Sequence, residues 1–533
     1  MSDGDQRTGH VVAFIDLGTN SVRLLVVRLN PNFSYTIISQ EKEVVRLGEN
    51  AFVDHNLRRE AMDRAVHVCR RFAELSRTYG ADEIVAIATS AAREAANQDV
   101  LVERLKEEAG LEVGIISGIE EARLIYQGVR SGIDLGARTA LFVDIGGGST
   151  ELIVGDHDMH YSLDSLNLGA IRTTAAFLPL GYKGPVEEPV YNKMRKHARS
   201  EMVHTIKAIA KGKRYDLVIG SSGTIMNLAE MASRSYGGRS GTLKLAHLKK
   251  LTAALRPMTL EQRRQVPGIN PERADIILGG AAILETIMEE LRVEELTVSD
   301  RGALSGLLVD HLSGITGYPH AERLPVRDTS VLQLGRSCGI DEGHALTVSR
   351  LALELYDSAQ AIGLHALDRK DRELLRHAAF LHDIGDFISF DEHHAHSYYI
   401  VRNADLLGFD EREIAIMAGL VRYHRKRPPR RRDPEMSELD EKSRQKVVIM
   451  SAFLRLAETL DRSHADLVSS AQFRRKGKNA LVLEVTSDAD VALEVWGLEN
   501  SAKAFKQAVG RELRIKVKRT RNDYGLGAPS WTL

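Results

Sequence analysis

The pattern of apolar and polar positions repeats itself early in the chain. FIDLGTNSVRLLVV (residues 14–27) and FVDIGGGSTELIVG (residues 142–155) match without a gap, with Phe, Asp, Gly, Ser, Leu and Val recurring in register. Each reads as an apolar strand ending in Asp, a glycine-containing turn with a hydroxyl, and a second apolar strand. The copies stand 128 positions apart, which predicts two related domains that each open on the same β-hairpin. A third apolar run enters a glycine-serine turn at Val218–Ile219–Gly220–Ser221–Ser222–Gly223–Thr224 and continues into the helix-like IMNLAEMAS. At residues 314–325 (GITGYPHAERLP) the pattern turns irregular and reads as a linker. Beyond it, LALELYDSAQAIGLHAL, RELLRHAAFLHDIG and VVIMSAFLRLAETLDR are helical in pattern. Near the end, NALVLEVTSD, VALEVWGL and LRIKVKR look strand-like and suggest a small α+β unit. The expected division is 1–135, 136–313, 326–469 and 470–533.

Length and composition agree with several domains. A chain of 533 residues exceeds what one hydrophobic core serves. Hydrophobic residues make up 43% and charged residues 27%, ordinary for globular protein. No apolar run is long enough to span a bilayer, and MSDGDQRTGH has no apolar signal core. Two cysteines, Cys69 and Cys338, make no disulfide framework and fit a reducing cytoplasm. A net charge of -1 gives no global field for a polyanion, so nucleic acid is not an expected partner. Anion binding must come from local clusters and oriented backbone groups.

The turns offer such groups. Glycine permits backbone conformations in which successive N–H groups face one anion, and neighbouring hydroxyls add donors. The candidate phosphate-binding residues are Thr19, Asn20 and Ser21 in the first turn and Gly146, Gly147, Gly148 and Ser149 in the second. In the third, Gly220, Ser221, Ser222, Gly223 and Thr224 precede a helix whose free N–H groups attract phosphate. Asp144 and Glu151 flank the second turn and suit a Mg²⁺ ion that bridges to substrate oxygens. In Ser117–Gly118–Ile119–Glu120–Glu121, the S-x-x-E spacing predicts a capping box that occupies Glu120 and leaves Glu121 free as a base. Arg93, after Thr89 and Ser90, is placed to meet phosphate bidentately.

FIDLGTNSVRLLV, ATSAAREAAN, ISGIEEARLIYQGV, FVDIGGGSTELIVG, LNLGAIR, IGSSGTIMNLAE and LTVSDRGALSGLL run in order from residue 14 to about residue 308. Together they resemble the exopolyphosphatase/guanosine-pentaphosphate phosphatase (Ppx/GppA) family. LHDIG, HHAHSYYIVRNADLLGF and LVRYHRK resemble the helical domain of its longer members. The resemblance implies an α/β fold: duplicated actin-like/ribonuclease H-like ATPase-superfamily domains, an all-α HD-like domain and a small α+β C-terminal unit. It implies Glu121 as the water-activating base, Asp144 and Glu151 as metal-associated acids, and Arg93 as part of the site. It also implies Mg²⁺ (or Mn²⁺) as cofactor, inorganic polyphosphate or pppGpp as substrate, no membrane partner, and a homodimer.

In the helical half, His344 and the pair His382–Asp383 fit the ligand pattern of HD phosphohydrolases, making a second divalent metal conceivable there. His393, His394, His396 and His424 follow. The closing acid of that pattern, usually Asp, is here Glu458, with Asp461 one turn later. The basic run RYHRKRPPRRR (422–432) reads either as a solvated face or as a track for a long polyanion. The leading expectation is an exopolyphosphatase, with a pppGpp 5′-phosphohydrolase as the alternative. A sugar kinase or chaperone-like ATPase is disfavoured by ISGIEEAR and SSGT, and a non-catalytic sensor by intact Glu121, Asp144 and Glu151.

Overall fold

Strands whose every residue is apolar form where both faces are covered. The computed structural model describes residues 9–49, 51–238, 241–315, 325–476 and 480–519, and the chain divides into two units between Val326 and Arg327. Residues 1–8 and most of the expected linker, 316–324, lie outside the described residues.

The first unit holds two sheets. One contains β1 (His10–Leu17), β2 (Ser21–Leu29), β3 (Tyr35–Val44), β4 (Glu83–Ala88) and β5 (Val113–Ile115) in the order β3-β2-β1-β4-β5. The other contains β6 (Ala140–Ile145), β7 (Thr150–Gly155), β8 (His160–Leu166), β9 (Leu217–Ser221), β10 (Thr242–Lys244) and β11 (Glu295–Val298) in the order β10-β11-β9-β6-β7-β8. Each begins with an antiparallel meander whose first strand then pairs in parallel with a later one. Alternate residues of β1 enter different cores: Val11, Ala13 and Ile15 one, Val12 and Phe14 another. In β6, Leu141, Val143 and Ile145 separate in the same way from Ala140 and Phe142.

Two helices, Gly118–Arg130 and Ala303–Ser313, cross at glycine. A Cβ on Gly306 would overlap the carbonyl of Leu124, and one on Gly128 would overlap the carbonyl of Gly302. Leu124 packs with Leu304 and Leu307 against the first sheet, whereas Ile125, Tyr126 and Val129 pack against the second. The Gly118–Arg130 helix thus links both sheets and carries Glu121 on its first turn.

The second unit packs helices Glu342–Ala361, Arg369–Phe380, His393–Asn403, Glu411–Arg422 and Glu441–Leu460. Beside them lies a sheet of β12 (Ser470–Lys476), β13 (Ala480–Thr486) and β14 (Glu512–Lys518) in the order β12-β13-β14. One apolar core runs from Val331 to Phe505 through helices and sheet. VALEVWGL differs from its expected strand: it opens the helix Ala492–Val509. Its core contacts, Val491, Val495, Leu498 and Phe505, recur at helical rather than alternating spacing. The strand pairing with β13 is instead β12, where Ala471 and Phe473 alone provide the buried alternation. Among the described residues, no helix is long and apolar enough to cross a membrane.

Because the contact at Gly306 is backbone against backbone, no rotamer relieves an added methyl. Gly306→Ala is expected to destabilise the first unit by about 1–3 kcal/mol and to lower activity by displacing the helix of Glu121. Denaturant titration followed by assay at a permissive temperature checks this; an unchanged midpoint would mean the crossing opens freely.

Candidate active site

The two hairpin turns are built alike. The N–H of Gly18 donates to the carbonyl of Ser21 at 3.1 Å, and that of Gly146 to the carbonyl of Ser149 at 3.0 Å. The second turn sits against the first: a Cβ on Gly147 would meet Thr19, and one on Gly148 would meet Ser90 and Phe52. Its carbonyls are held from behind. Those of Gly146 and Gly147 accept from the N–H groups of Ala170 and Ile171 at 3.0 and 2.8 Å, and that of Gly148 accepts from Arg172 Nε at 2.7 Å. Arg172 is itself fixed by a bidentate pair with Glu94 at 2.6 Å and by the ring of Phe52. Among the described residues, the N–H groups of Gly147 and Gly148 donate to no backbone carbonyl, leaving them available to an anion.

Four carboxylates meet beside these turns: Asp16, Glu121 and Asp144 line one cavity, and Glu151 is buried next to it. Asp16 and Asp144 occupy matching positions near the ends of β1 and β6, and Glu151 lies directly across the strand pair from Asp144. Glu121 projects from its helix into the same cavity, of about 100 Å³, where Asp16 and Asp144 also lie. Glu121, Asp144 and Glu151 are buried. Ser221 donates to Asp144, and Ser165 to Glu151 Oε1 at 2.8 Å. Arg93 donates to Glu121 Oε2 at 3.1 Å and to the carbonyl of Ile116 at 2.9 Å.

Burial dominates the electrostatics. It raises Glu121 to about 7 against the opposing pull of Arg93. It raises Glu151 well above the ordinary range, helped by the neighbouring charges of Glu121 and Asp144. Asp16 and Asp144 are raised by burial too. Two buried oxygens, Asp16 Oδ1 and Glu151 Oε2, have no hydrogen-bond partner among the described residues. Clustered carboxylate oxygens, some lacking any proton donor, are a fitting donor set for a hard divalent cation such as Mg²⁺.

Most of the candidates from the sequence meet in this cleft: Thr19, Asn20, Ser21, Gly146, Gly147, Gly148, Ser149, Ser222 and Gly223 line it together with Glu121 and Asp144. Five do not line it: Arg93 stands behind Glu121, Glu151 lies across the strand pair from Asp144, and three belong to the strand–helix junction. Gly220 packs against Ile225 and Leu296, Ser221 holds Asp144, and Thr224 lies against Gly280. The strand–helix junction turns so sharply that only Ser222 and Gly223 reach the cavity, and Ser222 takes φ 80°, a left-handed conformation uncommon for a side-chain-bearing residue.

The expected capping box at Ser117 is half formed. Ser117 Oγ accepts from the N–H of Glu120 at 3.1 Å, but the Glu120 carboxylate pairs with Arg123 instead of returning to the backbone. A charge-assisted pair outcompetes an amide, and Arg123 is anchored further by Asp310 at 2.7 Å.

Sequence reasoning missed Asp16, Arg23 and Arg273, all of which line the cleft. The duplication contained the signal for two of them: Asp16 aligns with Asp144, and Arg23 with Glu151. Arg273 comes from a distant 3₁₀ turn, Pro271–Arg273, and lies against Gly223, where any side chain would collide with its guanidinium. In the second unit, His344, His382 and Asp383 do lie together: the two Nε2 atoms stand 3.8 and 3.4 Å from Asp383 Oδ2.

Paired meander sheets, anion-ready turns and a carboxylate cluster define a phosphoryl-transfer protein of the actin-like class. Residues 25–314 match the Ppx/GppA phosphatase family, and residues 326–501 match domain III of Ppx/GppA phosphatases. An exopolyphosphatase from Cytophaga hutchinsonii is 28% identical with a TM-score of 0.53, the match covering 58% of this chain and 99% of that one. An exopolyphosphatase-like protein is 26% identical with a TM-score of 0.51, over 57% of this chain and 98% of the other. The chain belongs to the Ppx/GppA phosphatase family and is a phosphoanhydride hydrolase. Enzymes of this family depend on a divalent metal.

The raised carboxyl pKa values make metal-free stability pH-dependent. A carboxyl raised on folding contributes stability that is fully present below its unfolded value and lost as pH rises through its folded value. For Glu121 that window runs from 4.5 to about 7. In chelator, the unfolding midpoint of the first unit should therefore fall as pH rises across this window, and added Mg²⁺ should restore it most at the alkaline end. A midpoint independent of both pH and Mg²⁺ would contradict the carboxylate cluster as a cation site.

Kinetics test whether Glu121 acts as a base. Glu121→Gln is expected to reduce kcat by about 10²–10⁴-fold. Arg93→Ala, by removing the charge that opposes protonation, should move the acid limb of kcat/KM to higher pH. A limb that stays in place would detach Arg93 from the titration of Glu121.

Proposed function

We propose that this chain hydrolyses the terminal phosphate of linear inorganic polyphosphate. Glu121, held by Arg93, takes the proton of a water as its oxygen forms a bond to the terminal phosphorus. The bond from that phosphorus to the bridging oxygen breaks, and the shortened chain leaves on that oxygen. The free N–H groups of the Gly147–Gly148 turn, with Ser149, hold the phosphoryl oxygens. Asp16, Asp144 and Glu151 would hold a divalent ion, Mg²⁺ or Mn²⁺, whose charge offsets that on the phosphoryl group.

The observation that carries the choice of substrate is a set of crowded cations beyond the carboxylates. A second cavity, of about 540 Å³, is lined by Lys42, with Glu41 and Glu230, and shares Arg23, Arg273, Gly223 and Asp300 with the first. Arg273 is lowered to about 10 by burial and by the adjacent Arg23. Lys42 is lowered to about 8 by partial loss of water and by Arg273 and Arg23. Among the described residues, neither Arg23 nor Arg273 forms an ion pair with a carboxylate. Like charges held this close suit a ligand with a negative charge at each step, as polyphosphate has. No aromatic side chain among the described residues lines this cavity.

The basic run 422–432 gives this reading little support. Arg422 pairs with Glu435 at 2.8 Å, Arg427 with Asp433 at 2.7 Å, and Arg431 with Glu441 at 3.4 Å, all within the second unit.

Phosphate release from long polyphosphate, tripolyphosphate, pppGpp and ATP, measured side by side, should give the highest kcat/KM for polyphosphate. Lys42→Ala should raise the KM for polyphosphate roughly tenfold, as expected for one charged hydrogen bond of about 1.5 kcal/mol, and leave kcat near the parent's. Higher kcat/KM on pppGpp would sink the substrate assignment, and an unchanged KM would remove the second cavity from substrate binding.

A further inference from the structure

The second unit contains a buried group of histidines whose protons can be placed from their partners. A backbone carbonyl only accepts, so an imidazole nitrogen bonded to one must carry hydrogen. His382 Nδ1 donates to the carbonyl of Ala379 at 2.8 Å, His393 Nδ1 to that of Phe390 at 3.0 Å, and His424 Nδ1 to that of Val421 at 2.7 Å. His344 Nδ1 lies 2.8 Å from Asp461 Oδ2, and a carboxylate likewise accepts. All four rings are buried and turn their remaining nitrogen, Nε2, inward.

Those four Nε2 atoms face acceptors. His344 and His382 Nε2 are each 3.2 Å from Glu458 Oε2. His424 and His393 Nε2 are 3.3 and 3.4 Å from Asp383 Oδ1. His393 and His424 Nε2 are 3.2 Å from each other. Asp383 Oδ1 is buried and makes no hydrogen bond among the described residues. Neutral rings would place most of these lone pairs against other lone pairs, Arg425 reaching His393 Nε2 alone and at 3.5 Å. Protonating all four would set four cations against the three carboxylates of Asp383, Glu458 and Asp461 and a nearby arginine. Divalent ions at the points of convergence satisfy every lone pair and leave each Nδ1–H on the carbonyl or carboxylate that orients it, the usual outer support of a metal-bound imidazole.

Two such points exist. His344, His382, Asp383 and Glu458 form one group, and Asp383, His393 and His424 a second, the ligand atoms of each lying within 4.8 Å of one another. The oxygens of Asp383 divide between them, Oδ2 toward His344 and His382, Oδ1 toward His393 and His424. The backbone is drawn in to achieve this. Gly385 lies so close to the carbonyl of His393 that a Cβ there would overlap it, and Ser397 Oγ donates to the carbonyl of His382 at 2.7 Å while accepting from the N–H of Gly385 at 2.9 Å. A cavity of about 350 Å³ reaches His344, His382 and Asp383 and gives ions a route in.

We infer that the helical unit holds a dinuclear centre of divalent transition-metal ions bridged by Asp383, with His344, His382 and Glu458 on one ion and His393 and His424 on the other. Four imidazoles select Mn²⁺, Fe²⁺ or Zn²⁺ over Mg²⁺.

The test uses the full-length protein, purified without chelator and gel-filtered in excess Mg²⁺ so that the carboxylate cleft of the first unit carries Mg²⁺. Elemental analysis should find two transition-metal ions per chain, and two again in Glu151→Gln, which disables the other site. His424→Ala and His393→Ala should each retain one, and Asp383→Ala none, with phosphatase activity and circular dichroism reporting that the variants are folded. Reconstitution of the parent with Mn²⁺ should give the electron paramagnetic resonance spectrum of an exchange-coupled pair, a readout that needs no variant. A parent that binds one ion or none after reconstitution with Mn²⁺, Fe²⁺ or Zn²⁺ overturns the inference. So do two ions retained in both histidine variants.

Discussion

Carboxylates that share a water-poor cleft repel one another, and the first unit brings four of them there. Two unit charges 4 Å apart at an effective dielectric near 20 interact by about 4 kcal/mol, comparable with the whole net stability of many domains. Among the described residues only Glu121 forms an ion pair with an arginine, although Arg23 stands across the strands from Asp16. The serines at Asp144 and Glu151 supply one hydrogen bond each and no charge. The architecture therefore holds together a charge arrangement that it does not itself neutralise. The glycine crossing that ties the Glu121 helix to both sheets, the cross-strand pairing of Asp144 with Glu151, and the bracing of the second turn by Arg172 all oppose its dispersal.

The repeated hairpin carries opposite charge in its two copies. Asp16 faces Arg23 across β1 and β2, and Asp144 faces Glu151 across β6 and β7. A strictly symmetric pair would place either two acids or one acid and one arginine on both sides. The substitution of one partner makes the cleft polar from wall to wall, acidic at the second hairpin and cationic toward Arg23 and Arg273. A phosphate chain, negative along its length and in need of a cation only where the bond breaks, fits such a gradient in one direction. In this reading the divergence of two copies of one motif orients the substrate.

Much of this was legible in the sequence because it is local. The strand–turn–strand pattern, the acids flanking Gly146–Gly148 and the position of Glu121 four residues past a helix cap depend on neighbours a few positions away. Contacts set by tertiary packing were not legible. Arg273 reaches the cleft from a 3₁₀ turn more than a hundred residues beyond the second hairpin, and Glu120 left its cap for Arg123 because Asp310 anchors that arginine from another helix. Ser221 looked like a phosphate ligand from its place in a glycine-serine turn between strand and helix, yet the parallel register of β6 with β9 sets it opposite Asp144, within reach of that carboxylate. VALEVWGL was misread because a short apolar run fits both periods, and only its continuation through Phe505 distinguishes them.

The glutamate at position 458 shows how a departure from a motif can be absorbed nearby. Asp461 follows three residues later, at the end of the same helix, so both acids approach His344 from one side. The longer side chain reaches between His344 and His382, while Asp461 takes His344 Nδ1 and accepts the N–H of Asp466 at 2.8 Å. One acid faces the convergence point and the other fixes the ring that points there, a division that a single aspartate at 458 could not perform alone. The two units then differ in the ions they suit. The first presents carboxylate oxygens, to which Mg²⁺ binds while keeping much of its water; the second presents four imidazoles, for which transition metals compete far better.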